Sequence, residues 1–448
     1  MPRQEASRPN QSKPWTVAVY MIADGLQGSH SLDAMANAAK KQIADAFAAA
    51  GVADDVDVAI QMDFTERPGT RRFILNRKPI RTSREGNAGD PAVLEDFLRW
   101  VRQECPARRY AVHFWGHSSG PVGLFFDKAA PGARPDGLTL AELGYAFERA
   151  MPALGRPADL LLLKDCWLST LEAACELRDG ARYLVASQSE VPIEGWPYKE
   201  IFESLTADDT RSVAAKVVDV LGDFYGLAAN RGRFLEIPYA GVDVEAARGI
   251  DEPLRALAAR LDTLRDGEHG PSSRLALRRA ARADPALLDV NAMCANLGAI
   301  DDAEIRRHAA ALNEAVAGSL IGRHPNPSIF QGLSVFYFPL GSTPTDKNSR
   351  IAPAFFRSDL DVVDDYETLE LNRNTQWHRV ALENFTPPLE GNSMFGDEAK
   401  SDSFAIDWSS NGDTLTITIA KKNKNGTAGP KAKAKPKPKR KAGPKKKK

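Results

Sequence analysis

The 448-residue chain lacks any run near the roughly 18–20 consecutive apolar residues that a membrane-spanning helix needs, so no spanning helix and no membrane partner are expected. Residues 1–14 are polar and carry no apolar h-region, which leaves no secretory signal to read and makes the cytoplasm the expected location. Cysteines are few: Cys105, Cys166, Cys175 and Cys294 stand far apart with no CxxC pair, which argues against a zinc ribbon or a dense disulfide framework. No internal repeat and no cluster of metal-ligating residues stands out, so no metal is assigned. Acidic residues are missing from one region. Residues 421–448 hold 14 Lys and Arg and no Asp or Glu, so the net charge of zero conceals 45 basic against 59 acidic residues elsewhere. By that subtraction an acidic body of about −14 carries a basic leash of about +14.

What is present is a chain that is 43% hydrophobic, enough for a sizeable globular core. Between residues 15 and 239, short apolar runs alternate with helical patterns. Strands are expected at 17–22, 56–62, 110–115, 160–163 and 183–187, with amphipathic helices at 93–105, 140–151 and 168–178. Apolar runs separated by helices predict an α/β layered fold, a mostly parallel sheet with helices on both faces. Residues 240–385 read as a helical-rich extension, with Ala/Leu/Arg patterns at 245–265 and 302–321. It then returns a strand to the core at 333–338 and is continuous with the catalytic fold. Residues 386–420 contain an alternating strand at 414–419, and 421–448 is a Lys/Pro-rich tail that cannot bury enough apolar area to fold.

Two segments bring reactive side chains to strand ends. Residues 110–120, Tyr-Ala-Val-His-Phe-Trp-Gly-His-Ser-Ser-Gly, run from an apolar strand into a Gly/Ser turn that presents His117. Residues 160–168, Leu-Leu-Leu-Leu-Lys-Asp-Cys-Trp-Leu, end another strand in Cys166 and lead toward a helix. Chemistry in open α/β sheets gathers at the carboxyl ends of strands. If the two strands are neighbours, His117 can act as base to a Cys166 thiolate. A helix starting at the cysteine is expected to lower the thiol pKa through its dipole. A buried structural role is the alternative for either residue, and it is the reading adopted for Cys105, Cys175, Cys294 and His113.

Residues 110–120 resemble the His-Gly segment of clostripain-like cysteine peptidases, residues 159–178 resemble that family's Cys-bearing strand and helix, and residues 183–198 its substrate-groove segment. Weaker echoes occur at 15–24, 58–63, 70–73, 89–100, 138–143 and 332–339, so the resemblance spans most of 15–385 in order. It implies a caspase-like sandwich and a cysteine endopeptidase acting on protein substrates through an acyl-enzyme, with Cys166 as nucleophile and His117 as base. No cofactor is required; calcium enters by family analogy alone. Backbone N–H groups of Cys166 and Ser118 are the expected oxyanion donors. The family usually has Gly after the histidine, so Ser118 would be strained if the site needs φ > 0.

The specificity pocket departs further. The family's second residue before the cysteine is typically Asp and favours cleavage after Arg or Lys; here it is Lys164, and Asp165 follows where the family is small. Strand alternation turns Lys164 the same way as Cys166, which favours an acidic P1 residue if its ammonium lines the pocket. Alternatively Lys164 reaches water and an acid among Asp165, Glu190 and Glu194 governs specificity, with Ser187 a further pocket residue. The turn-rich loop 127–137 between base and nucleophile is a candidate site of maturing cleavage, as in related zymogens, or an ordinary surface excursion. Rival functions are a catalytically silent scaffold of the same fold and a nucleic-acid-binding protein working through the basic tail, which also suits an acidic surface. A monomer is expected, and a regulated cascade such as stress or defence signalling would suit an unexported peptidase.

Overall fold

Alternation of side chains decides how the central strands are used. In the first strand Val17, Val19 and Met21 enter one buried cluster, while Ala18, Tyr20 and Ile22 enter another. Successive residues point to opposite faces, so a continuously apolar strand must be covered on both sides. The computed structural model describes residues 12–23, 32–64, 70–77, 81–82, 86–127, 136–154, 158–193, 195–206, 209–226, 237–323, 330, 332–338, 366–383, 404–411 and 414–421.

The strands in chain order are β1 (Lys13–Ile22), β2 (Val56–Asp63), β3 (Arg71–Ile74), β4 (Arg81–Thr82) and β5 (Ala107–Trp115). They continue as β6 (Leu124–Asp127), β7 (Asp136–Leu138), β8 (Ala158–Lys164), β9 (Ala181–Ser187) and β10 (Tyr239–Asp243). The last six are β11 (Arg282–Asp284), β12 (Leu287–Asp289), β13 (Leu320–Arg323), β14 (Ser334–Phe336), β15 (Phe404–Asn411) and β16 (Thr414–Lys421). Nine of them form one sheet, in the order β13-β10-β9-β8-β5-β1-β2-β3-β4. The five central strands are parallel, and antiparallel partners finish each edge. Among the described residues, no helix is long and apolar enough to cross a membrane.

Helices α1 (Asp33–Ala50), α2 (Pro91–Glu104), α3 (Leu140–Leu154), α4 (Leu171–Glu176), α5 (Tyr198–Ser204) and α6 (Thr210–Gly226) connect or follow the central strands. Buried residues of α2 and α3, such as Phe97 and Phe147, join the cluster of Tyr20 and Phe114. Those of α1, α5 and α6, such as Phe47, Phe202 and Leu221, join the cluster of Val19 and Leu162. The expected layered α/β architecture is the one observed. Asp90 starts α2 by accepting from the Ala92 N–H, with Pro91 at the first helical position.

The later region joins the same unit, residues 1–387. The expected division near residue 239 falls at the first residue of β10, which pairs with β9 in the main sheet. The apolar segment at 333–338 does return to the core, with Leu333, Val335 and Phe336 buried. Its strand β14 pairs with β12 in a separate three-stranded sheet, however, and β13 is the strand that extends the main one. Short antiparallel partners are at hand in the 282–289 hairpin, whereas the edge of the main sheet on that side, next to β10, is taken by β13. In the second unit, residues 388–448, β15 and β16 form an antiparallel pair; the tail at 422–448 lies outside the described residues.

Candidate active site

β5 and β8 are neighbours, paired in parallel with Trp115 opposite Lys164. His117 and Cys166 therefore each stand two residues past the last paired position, at adjacent strand ends about 4.8 Å apart in the sheet direction. From Tyr110 to Pro121 every residue is buried except His117, and from Ala158 to Cys175 every residue is buried except Cys166. Both exceptions are half-buried. The two turns are tied together, since the Ser118 hydroxyl donates to the Cys166 carbonyl. The Ser119 N–H donates to the Gly123 carbonyl at 2.8 Å, closing the turn that follows His117.

Four residues separate Cys166 from the next helix. α4 begins only at Leu171, with Thr170 accepting from the Ala173 N–H at 3.1 Å as its N-cap. The expected helix start at the cysteine is thus not found, and neither is the expected lowering of its pKa. Burial pushes the Cys166 thiol up to about 11; a hydrogen bond from the Val191 N–H and the nearby Lys164 charge oppose this, while Asp165 and Glu190 add to it. The Val191 N–H lies 3.3 Å from Sγ and the Val191 carbonyl 3.9 Å from it, so the segment after β9 sits directly on the thiol.

Strain also falls elsewhere than expected. Ser118 is not among the residues with positive φ; Trp167 is, at 56°. A non-glycine residue in that region costs roughly 1–2 kcal/mol. It is held there by its N–H, which donates to the Ser189 carbonyl at 3.1 Å, and by burial of its indole. Nothing in the sequence singled out Trp167, because strain is a property of the fold.

Lys164 follows strand alternation onto the cluster that holds Leu160 and Leu162. It neither reaches water nor stands in an open pocket: it is 2% exposed, its ammonium donates to the carbonyls of Pro192, at 3.0 Å, and Ile193, and it lies over the Trp115 ring, 5.8 Å from the centroid. Snorkelling fails because the segment after β9 folds over the strand end and supplies the acceptors itself. Asp165 is buried, neither of its oxygens finds a hydrogen-bond partner, and burial raises it to about 7 against the opposing charge of Lys164. Ser187 is occupied in a turn, accepting from the Ser189 N–H at 3.0 Å. Glu190 is exposed on the covering segment, and Glu194 lies outside the described residues, as does the loop at 128–135.

His113 is a core residue, with Nδ1 3.0 Å from the Leu162 carbonyl and the ring stacked on Trp196; burial drives it down to about 3. Cys105, Cys175 and Cys294 are buried, and burial raises all three thiols. Residues that the sequence reading missed frame the site. Gln188 bonds Asp289, Ser334 and the Gly332 N–H, anchoring the start of the covering segment. Trp196 donates to Tyr239 at 3.1 Å, anchoring its end. Among the described residues no group of three or more His, Cys, Asp or Glu could hold a metal ion.

The sequence profile of the clostripain family matches residues 19–283. No curated protein sequence matches the chain. Among solved structures, the secreted C11 cysteine protease iotapain from Bacteroides thetaiotaomicron is 16% identical with a TM-score of 0.58, over 82% of this chain and 100% of that one. An inactive zymogen C11 protease from Parabacteroides distasonis is 15% identical with a TM-score of 0.57, over 82% and 99%. The Bacteroides thetaiotaomicron protease in complex with an irreversible peptide inhibitor is 16% identical with a TM-score of 0.55, over 79% and 99%. Identities this low speak for the caspase-like fold; the profile match, over more than half of the sequence, speaks for the family. The chain belongs to the clostripain family of cysteine endopeptidases.

Proposed function

We propose that Cys166 and His117 are the dyad of this peptidase. One observation carries the reading: two half-buried residues, a histidine and a cysteine, interrupt otherwise buried runs at the ends of adjacent parallel strands. His117 takes the thiol proton and the sulfur lone pair attacks the scissile carbonyl carbon. The C–N bond then breaks, and His117 passes its proton to the leaving amine. A water, deprotonated by His117, hydrolyses the thioester and restores the thiol. Backbone N–H groups of Cys166 and Ser118 are the proposed oxyanion donors.

The P1 residue is proposed to be acidic rather than Arg or Lys. Position 164 puts a positive charge beside Cys166, and like charge opposes a basic side chain. Maturation by cleavage within 127–137 is kept as a proposal, read out by N-terminal sequencing of the processed chain. The basic tail is proposed to dock on nucleic acid or an acidic surface; its deletion should abolish salt-sensitive binding and spare peptide turnover.

The decisive experiment compares Cys166→Ala and His117→Ala with the parent in peptide turnover and in alkylation of Cys166. Turnover should vanish in the first and alkylation should slow in the second, with unchanged circular dichroism in both. Substantial turnover by a folded Cys166→Ala protein would overturn the assignment.

A further inference from the structure

The segment 189–193 is fastened at both ends by groups that have nothing to do with the thiol. Gln188 holds its start through Asp289, Ser334 and Gly332, and Trp196 holds its end through Tyr239. Its middle rests on the site. The Val191 N–H and carbonyl meet Cys166 Sγ, and the carbonyls of the next two residues receive the Lys164 ammonium. A scissile carbonyl carbon must come within roughly 3–3.5 Å of the sulfur before attack. The Val191 peptide group already occupies that distance on its side of the sulfur, at 3.3 Å. Among these contacts, the Lys164 ammonium is the charged group that holds residues 192–193, from a position two residues before the nucleophile and pointing the same way.

We propose that Lys164 is a substrate-released latch: it holds residues 191–193 across Cys166, and a P1 carboxylate opens the site by taking over the ammonium from the Pro192 and Ile193 carbonyls. The proposal rests on the reading of Cys166 as nucleophile. A carboxylate is a stronger partner for a buried ammonium than a neutral carbonyl, so it can displace one. A P1 Gln lacks the charge to do so, and a P1 Arg or Lys is repelled. P1 selection and exposure of the thiol are then one event. That distinguishes a latch from a fixed pocket, in which Lys164 would select P1 without moving the segment.

Two readouts test it: amide hydrogen exchange at the N–H-bearing residues of 189–193, compared at one fixed pH, and kcat/KM for matched peptides ending in Asp, Glu, Gln or Arg at P1. Lys164→Met should speed exchange of the segment by roughly 10- to 100-fold, the worth of a hydrogen bond to a charged group, and erase the preference for Asp and Glu over Gln. Lys164→Gln, which can still donate to one carbonyl, should give intermediate exchange with the preference lost, and Lys164→Arg should retain both. Unchanged exchange in Lys164→Met, or a parent enzyme that cleaves best after Arg, overturns the latch. If Lys164→Met does not fold, the parent's P1 ranking and the Lys164→Gln exchange decide alone. Turnover that depends on Cys166 but is indifferent to Lys164 sinks the latch and leaves the peptidase; absence of any Cys166-dependent turnover sinks the reading beneath it.

Discussion

Asp165 and Glu172 are both carboxyls withdrawn from water on the connection that follows β8, and burial pushes both up to about 7. Their surroundings differ. One oxygen of Glu172 accepts from the Phe336 N–H at 2.9 Å and from the Tyr366 hydroxyl at 3.0 Å. Nearby, Arg178 pairs with Asp251 at 2.9 Å and with Glu370, and Asn374 reaches the same Asp251. This seam ties α4 to the C-terminal part of the first unit with partners for most of its buried charge. At the Cys166 edge both oxygens of Asp165 and the indole nitrogens of Trp115 and Trp167 find no partner, against one Glu172 oxygen and the Arg178 Nε in the seam; there too Trp167 is twisted to positive φ and the thiol is pushed up. Unmet polar groups and strained backbone are costs that persist where something other than stability keeps them.

The sharpest break of that comparison is between His113 on β5 and His117 just past its end. His117→Ala should cut turnover by roughly 10²–10⁴-fold with little change in melting temperature, while His113→Ala should lower melting temperature and leave per-molecule turnover largely intact. The opposite ranking would mean that the edge has been placed on the wrong residue.

Next in size, Arg178→Ala leaves Asp251 and Glu370 without their shared cation and should cost roughly 3–5 kcal/mol in denaturant unfolding. P1 ranking in the surviving folded fraction should not change. A cost below about 1 kcal/mol would show that the seam is not what secures the unit.

Asp165→Asn should act in the reverse direction. The folded protein keeps a proton up to about pH 7 that the unfolded chain releases near the ordinary carboxylate value of about 3.9. The unfolded state binds fewer protons in that window, so Asp165 makes the parent lose stability as pH rises from about 4 to about 7. The Asn variant should escape that loss, and its unfolding free energy should exceed the parent's by on the order of 1–4 kcal/mol near pH 8, with the two curves converging below about pH 4. Parallel curves across the window would show that Asp165 is ionised and paired after all. The smallest effect concerns the cap of α4: Thr170→Ala should cost about 1 kcal/mol of stability and leave turnover unaltered.

Much of the site was legible before any coordinates. The apolar runs at 17–22, 56–62, 110–115, 160–163 and 183–187 are all strands of the main sheet, each a little longer than its apolar core. They were readable because a strand buried on both faces leaves no choice of residue type along several consecutive positions. The positions of His117 and Cys166 at strand ends follow from where those runs stop. The helix after Cys166 starts later than expected because Leu168, Ser169 and Thr170, though all buried, are held by contacts with chain some 160 residues on: the Ser169 hydroxyl donates to the Gly332 carbonyl and the Ser334 N–H to the Ser169 carbonyl.

Local pattern, then, determined the sheet, its two covered faces and the two strand ends that carry a histidine and a cysteine, since periodicity and side-chain type act over a few residues at a time. Alternation also determined which face Lys164 takes. Only the tertiary structure decided what meets it there. The carbonyls of Pro192 and Ile193, the peptide of Val191 on the sulfur, the twist at Trp167 and the burial of Asp165 all depend on a segment that Gln188 and Trp196 anchor to distant parts of the chain. A charge's partner and its desolvation are set by everything packed around it, and neighbours in space that are far apart in sequence leave no trace in local spacing.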